Sequence, residues 1–210
     1  MPRHIILADD HAIVRQSLKL LLEGDDYLVV GEASDGAEAI VLAGKLFPQF
    51  AILDIGMPVM NGIDSAREIL NISPRTKIVL LSMHGEDHYV VRALKAGVAG
   101  YVVKTRAAGD LIQALRDVET GNMYLSPGIS RAVVQRMLSR IDPDEDVLSP
   151  RESQVLQLIA EGLSSKEIAS NFGVSPKTIE SHRARMMEKL NLHETASLVR
   201  YAIRRGLVQP

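Results

Sequence analysis

An alternation constrains this chain more than anything else in it. Over the first 120 residues, short apolar runs take turns with segments of helical period, and the runs read as buried strands. They are His4–Ala8, Tyr27–Ala33, Phe50–Asp54, Thr76–Ser82 and Gly100–Val103. Between and after them fall a helix with Ile13, Val14, Leu18, Leu21 and Leu22 facing inward, then helices at Asp35–Leu46, Gly62 to about Asn71, Glu86–Ala96 and Ala107–Thr120. Strand and helix in strict turn, with short joins, call for a parallel sheet with right-handed crossovers and helices on both faces. The expected fold class is α/β, a doubly wound five-stranded parallel sheet.

What ends each strand bears on function. Asp9-Asp10 follow the first, Asp54 closes the third, Ser82 the fourth, and Lys104 follows the fifth. In an open α/β sheet, ligands bind outside the carboxyl ends of the strands. An Asp before a turn is common by itself, and Asp54 precedes the turn Ile55-Gly56-Met57-Pro58-Val59-Met60-Asn61-Gly62. Taken singly, Lys104 is a solvated lysine, Tyr101 a strand aromatic, and Asp9-Asp10 a helix-capping loop. Together they put polar groups along one rim. Converging carboxylates repel one another unless a cation intervenes, and an oxygen-rich, incompletely ligated site suits Mg²⁺, which keeps waters and bridges to phosphate. The Ser82 hydroxyl and the Lys104 ammonium are the donors that a phosphoryl group's other oxygens need. Asp54 is then an acyl-phosphate nucleophile.

At these residues the chain resembles the receiver domain of two-component response regulators, over roughly residues 3–120. Asp9/Asp10, the LDIGMPVMNG stretch, Ser82 and Lys104 match in order and spacing. The resemblance implies a flavodoxin-like fold with strand order 2-1-3-4-5, Mg²⁺ held at Asp9, Asp10, Asp54 and the backbone carbonyl of Gly56, and phosphoryl transfer from a sensor histidine kinase to Asp54. It also implies that Tyr101 is a switch aromatic, turning inward as Ser82 moves toward the phosphoryl group. Two positions depart from the family. Thr105 stands where proline usually follows the lysine, so the peptide is expected to be trans. Met83 stands where many receivers have a small residue, so its thioether is expected to narrow access to Asp54. Haloacid dehalogenase phosphatases also use an Asp nucleophile, Mg²⁺ and lysine, with a second acid two residues on. Gly56 occupies that position here. The site is therefore expected to switch and not to turn over: not an enzyme, beyond self-phosphorylation from a phosphodonor and slow self-dephosphorylation.

The chain is 210 residues long and 46% hydrophobic, which allows two domains with real cores. It has no cysteine, no apolar run near membrane-span length and no basic-then-apolar leader, so a cytoplasmic protein with no membrane contact is expected. The net charge of −2 hides an asymmetry. Residues 149–210 carry nine Lys/Arg against six Asp/Glu, and the excess of acid lies entirely before them. Boundaries are placed at 1–121, 122–147 and 148–210. The middle stretch is a linker: Pro127 starts a short amphipathic helix with Ile129, Val133, Val134, Met137 and Leu138, and the acidic, proline-bearing residues 141–147 disfavour helix.

The last stretch reads as a small all-α domain of four helices. Ser149-Pro150-Arg151-Glu152 and Ser164-Ser165-Lys166-Glu167 are capping boxes, Gly162 and Gly173 end helices, and Ser175-Pro176 start a third helix to about Leu190. A fourth covers Glu194–Arg205. Helix, Gly-containing turn and helix is the helix-turn-helix pattern. On the third helix Ile179, Met186 and Leu190 point inward, while Lys177, Ser181, Ala184 and Glu188 point outward, with Glu180 and Arg185 flanking. Ala amid charges lets that face approach a base-pair edge, although a solvated amphipathic helix fits the spacing too. Residues 148–192 resemble the LuxR-type helix-turn-helix domain, so the whole chain resembles a NarL/FixJ-family response regulator. The resemblance implies a homodimer formed on phosphorylation, double-stranded DNA as partner, Lys166 on the DNA backbone, and Lys177, Thr178, Glu180, Ser181, His182, Arg183, Ala184, Arg185 and Lys189 in or along the major groove. The alternative is a phospho-responsive adaptor whose last domain binds protein. For Glu180, acceptance from cytosine N4 competes with an ion pair to Lys177 or Arg183.

Overall fold

Strand β1 (Arg3–Ala8) opens a six-stranded, all-parallel sheet ordered β2-β1-β3-β4-β5-β6. The chain runs through α1 (Ala12–Glu23), β2 (Tyr27–Ala33), α2 (Gly36–Leu46), β3 (Phe50–Asp54), α3 (Gly62–Ile72), β4 (Lys77–Ser82), α4 (Asp87–Lys95), β5 (Gly100–Val103), α5 (Ala107–Glu119) and β6 (Tyr124–Leu125). The computed structural model describes residues 2–83, 87–129, 148–205 and 207–208, with the backbone alone at 87, 88 and 108. It divides into two units, Met1–Arg140 and Ile141–Pro210. No helix among the described residues is long and apolar enough to cross a membrane.

Alternation along each strand builds two cores. In β1, Ile5 and Leu7 pack with Leu18 and Leu22 of α1 and Leu111, Ala114 and Leu115 of α5, while Ile6 and Ala8 face Ala39 and Ala43 of α2 and Ile63, Ala66 and Ile69 of α3. Because helices cover both faces, β3 is buried at all of its positions and reads as one continuous apolar run. The parallel, doubly wound sheet in the order 2-1-3-4-5 is as expected.

Two readings need correction. The sheet has a sixth strand. Tyr124 and Leu125 lie beside Gly100 and Tyr101, and Ser126 N–H donates to the Tyr101 carbonyl at 2.9 Å. The segment after 121 therefore begins inside the sheet of the first unit and not as free linker. Ile13 is the second correction: it is 83% exposed. It lies five residues before Leu18, about 140° round the helix, so it shares a face with exposed Leu20 and not with the inward stripe. The proposed helix residues Val133, Val134, Met137 and Leu138, the 141–147 linker and Glu86 lie outside the described residues.

The second unit holds α6 (Pro150–Ala160), α7 (Ser165–Phe172), α8 (Pro176–Leu190) and α9 (Thr195–Arg204). Both capping boxes form, with Ser149 accepting from Glu152 N–H and Ser164 from Glu167 N–H, and Gly173 closes α7 in the left-handed conformation. Val155, Leu156, Ile168, Ile179, Met186, Leu198 and Ala202 form the core. The outward residues Lys177, Ser181, Ala184 and Glu188 of α8 are all exposed.

Candidate functional site

Register places the rim groups side by side. Ala8 pairs with Leu53, so Asp9 follows level with Asp54, while Asp54 lies opposite Leu81 and Ser82 opposite Val103. Lys104 follows β5 in a 3-10 turn, and its peptide to Thr105 is trans, as expected, since no described bond is cis. Its ammonium lies 2.7 Å from Asp9 Oδ2 and 2.9 Å from Asp54 Oδ2. Asp9, Asp54 and Ser82 are buried, whereas Asp10 is exposed.

The electrostatics follow from that packing. Burial pushes the Asp54 carboxyl above its ordinary value and Asp9 adds to this, while Lys104 and the Gly56 N–H pull it back without cancelling the rise. Burial works to lower the Lys104 ammonium, but Asp54 and Asp9 outweigh it and hold it above its ordinary value. Beyond that ammonium, Asp9 Oδ2 and Asp54 Oδ2 have no hydrogen-bond donor among the described residues. Two buried carboxylates thus share one ammonium, and Asp10 lies beside them with a carboxylate oxygen within 4.8 Å of one of Asp9's. The uncompensated charge is what a divalent cation would balance, and the donors are the hard oxygens that Mg²⁺ prefers, so these residues fit that ion.

Several neighbours were not singled out from sequence. His11 Nδ1 lies 2.7 Å from Asp10 Oδ1, and its N–H donates to Asp9 Oδ1 at 2.8 Å. Adjacency to the acidic doublet was the available signal. Arg15 Nη1 donates to the Asp9 carbonyl at 2.5 Å. Behind Lys104, Val103 N–H donates to Ser126 Oγ at 3.1 Å and Ser126 Oγ donates to Asp110 Oδ2 at 2.8 Å, which anchors the start of the 3-10 turn. The turn after Asp54 is tight. Met60 N–H bonds back to the Pro58 carbonyl at 2.7 Å across Val59, whose φ of 66° is unusual for a β-branched residue. Asn61 then caps α3, accepting from Ile63 and Asp64 N–H. Tyr101 is fully buried. Met83 is 54% exposed.

On the second unit, Lys166, Lys177, Thr178, Glu180, Ser181, Ala184 and Arg185 are exposed. His182 is half-buried, and its Nδ1 is buried without a partner among the described residues. Three side chains are held within the domain. Lys189 Nζ lies 2.6 Å from Glu152 Oε2, so its charge serves a buried carboxylate on α6. Arg183 Nη2 donates to Thr195 Oγ1 at the start of α9. Glu180 accepts from the Ser165 hydroxyl, and pairs with neither Lys177 nor Arg183.

The family descriptions "Response regulator receiver domain" and "Bacterial regulatory proteins, luxR family" match residues 5–116 and 146–202. The chain belongs to the NarL/FixJ family of response regulators. This response regulator is 35% identical to the transcriptional regulatory protein MctR of Rhizobium johnstonii over 205 residues, covering 97% of this chain and 94% of that one. It is 36% identical to the oxygen regulatory protein NreC of Staphylococcus carnosus over 213 residues, covering 97% and 98%. RcsB from Salmonella enterica serovar Typhimurium, bound to promoter P1flhDC in the presence of phosphomimetic BeF3⁻, is a structural neighbour with TM-score 0.64 and 31% identity, over 96% of this chain and 98% of that one. A family of transcriptional regulators built as receiver plus helix-turn-helix leaves the protein-binding adaptor unsupported.

Proposed function

We propose that this chain is a cytoplasmic switch in which a sensor histidine kinase phosphorylates Asp54 and the phosphorylated chain pairs as a homodimer on double-stranded DNA. The observation that carries the reading is the Lys104 ammonium set between Asp9 and Asp54, at 2.7 and 2.9 Å, at the rim of a parallel sheet. An Asp54 oxygen bonds to phosphorus as the donor's P–N bond breaks, and the proton needed by the leaving imidazole comes from solvent. Lys104 and Ser82 then donate to the phosphoryl oxygens. Asp9, Asp10, Asp54 and the Gly56 carbonyl would hold Mg²⁺, which when bound neutralises charge between carboxylates and phosphoryl group. Gly56 supplies no acid where a phosphatase carries one, so the acyl phosphate outlasts a catalytic cycle and acts as a signal. Tyr101, packed inward behind β4, is the aromatic that the switch engages.

At the other end, Lys166, Lys177 and Arg185 meet phosphates, while Glu180, Ser181 and Ala184 face base edges from α8, beside Thr178. Arg183 ties the recognition helix to the start of α9 through Thr195, Lys189 acts through Glu152, and the His182 Nδ1 is left to a phosphate. The reading is tested by exposing the protein to a small phosphodonor with Mg²⁺ and weighing it. The parent gains one phosphoryl group and its dimer fraction rises, while Asp54→Asn does neither. A mutant that gains mass and dimerises like the parent would place the chemistry elsewhere.

A further inference from the structure

Ser165 opens α7 behind its cap Ser164, and its hydroxyl donates to Glu180 Oε1 on α8. The two residues are fifteen apart, so the bond ties the first turn of one helix to the outer face of the next. Neither end needs it for stability. Capping of α7 is complete without Ser165, through the reciprocal bonds of Ser164 and Glu167. Glu180 is exposed, so its carboxylate has water available. By local rules a glutamate with Lys177 three residues before it and Arg183 three after would fold onto one of those cations. Here it is drawn off both, and Arg183 bonds to Thr195 instead.

We infer that Ser165 is a specificity-determining positioning residue. Its hydroxyl engages one oxygen of Glu180 and holds the carboxylate away from its own helix's cations, leaving the second oxygen aimed to accept from a cytosine N4 amino group. A carboxylate reads a base only if it stands at the edge when the helix docks. One that swings onto Lys177 or Arg183 leaves the base edge and spends its acceptor oxygens on a cation. Ser165 orders Glu180 before binding, so the ordering is not charged against recognition. This inference rests on the reading of Glu180 as a base-contacting group.

The test uses the full-length phosphorylated protein, a duplex recovered by in vitro selection with it, and a panel of that duplex altered one base pair at a time. Glu180→Gln should flatten discrimination at one base-pair position. Ser165→Ala should reduce discrimination at that same position by a factor of about 2 to 10, the worth of one hydrogen bond. Affinity for random duplex and its salt slope should not move, and Ser165→Thr, which keeps the hydroxyl, should restore discrimination. An unchanged helical circular dichroism spectrum accompanies these results. If Glu180→Gln flattens that position and Ser165→Ala leaves it at the parent value, the role of Ser165 is overturned while Glu180 stands. If Ser165→Ala weakens all duplexes equally, Ser165 is a backbone contact and the inference fails. If Glu180→Gln changes nothing at any position, the base-reading assignment itself falls.

Discussion

Glu152 closes the capping box of α6 and pairs with Lys189 of α8. It is 4% exposed and charged, and it survives there by accepting from Ser149 N–H and from Lys189. Burial works to raise its carboxyl, but Lys189 and Ser149 outweigh this and hold it below its ordinary value. A carboxyl depressed in the folded state contributes stability that is fully present above its unfolded value near 4.5 and is lost as pH falls through the lower folded value. Acid unfolding of the second unit, followed by circular dichroism, should show that loss, and Glu152→Gln should shrink the slope without removing it, because Ser164 also holds the Glu167 carboxyl below its ordinary value. Lys189→Met should destabilise the domain by about 1–3 kcal/mol, toward the low end because the lysine is 41% exposed. Its salt slope on random DNA should not change. By resemblance alone Lys189 counts among the DNA-binding residues of the third helix. Its partner lies 37 residues away on another helix, and only the tertiary packing reveals the pair.

Elements position Asp54 through the turn that follows it. Gly62 begins α3 so close to β3 that a Cβ there would stand 2.2 Å from the Asp54 carbonyl oxygen and 2.9 Å from its carbonyl carbon, both backbone atoms that have no rotamer to yield. Gly62→Ala should cost about 1–3 kcal/mol in denaturant unfolding and slow phosphorylation by a small donor, because relief comes only by moving the strand end. A variant as stable and as quickly phosphorylated as the parent would mean that α3 is free to shift. The elements themselves were legible. Five strands and their helices announced themselves through unbroken apolar runs and 3.6-residue stripes, and both capping boxes in the second unit formed. β6 was not legible, because two residues carry no period. Nor was the turn at Val59, where a β-branched residue takes a positive φ against its own preference, at a cost of about 1–2 kcal/mol. Ile13 misled because a single apolar residue at a helix start matches a stripe until the angle is counted.

The whole molecule joins a receiver domain, with carboxylates and a lysine at its sheet rim, to a LuxR-type helical domain. The sequence made that join readable because Asp9, Asp10, Asp54, Ser82 and Lys104 stand at the ends of four strands, β1, β3, β4 and β5, and a parallel sheet brings strand ends together wherever they lie in the chain. It left unreadable how the cluster is charged, since Lys104 bridging two buried carboxylates depends on distances and burial. The most direct measurement is DNA affinity, on a selected duplex and on random duplex, with and without phosphodonor and Mg²⁺, across a series of salt concentrations. Phosphorylation should tighten binding to the selected duplex by about 5- to 150-fold, the usual range of coupling between two sites. Affinity for random duplex should fall with salt, with a log–log slope of about −0.9 for each phosphate contacted. Asp54→Asn should keep the salt slope and lose the tightening. Equal affinity with and without phosphodonor, in a parent protein shown by mass to carry the phosphoryl group, would contradict that coupling.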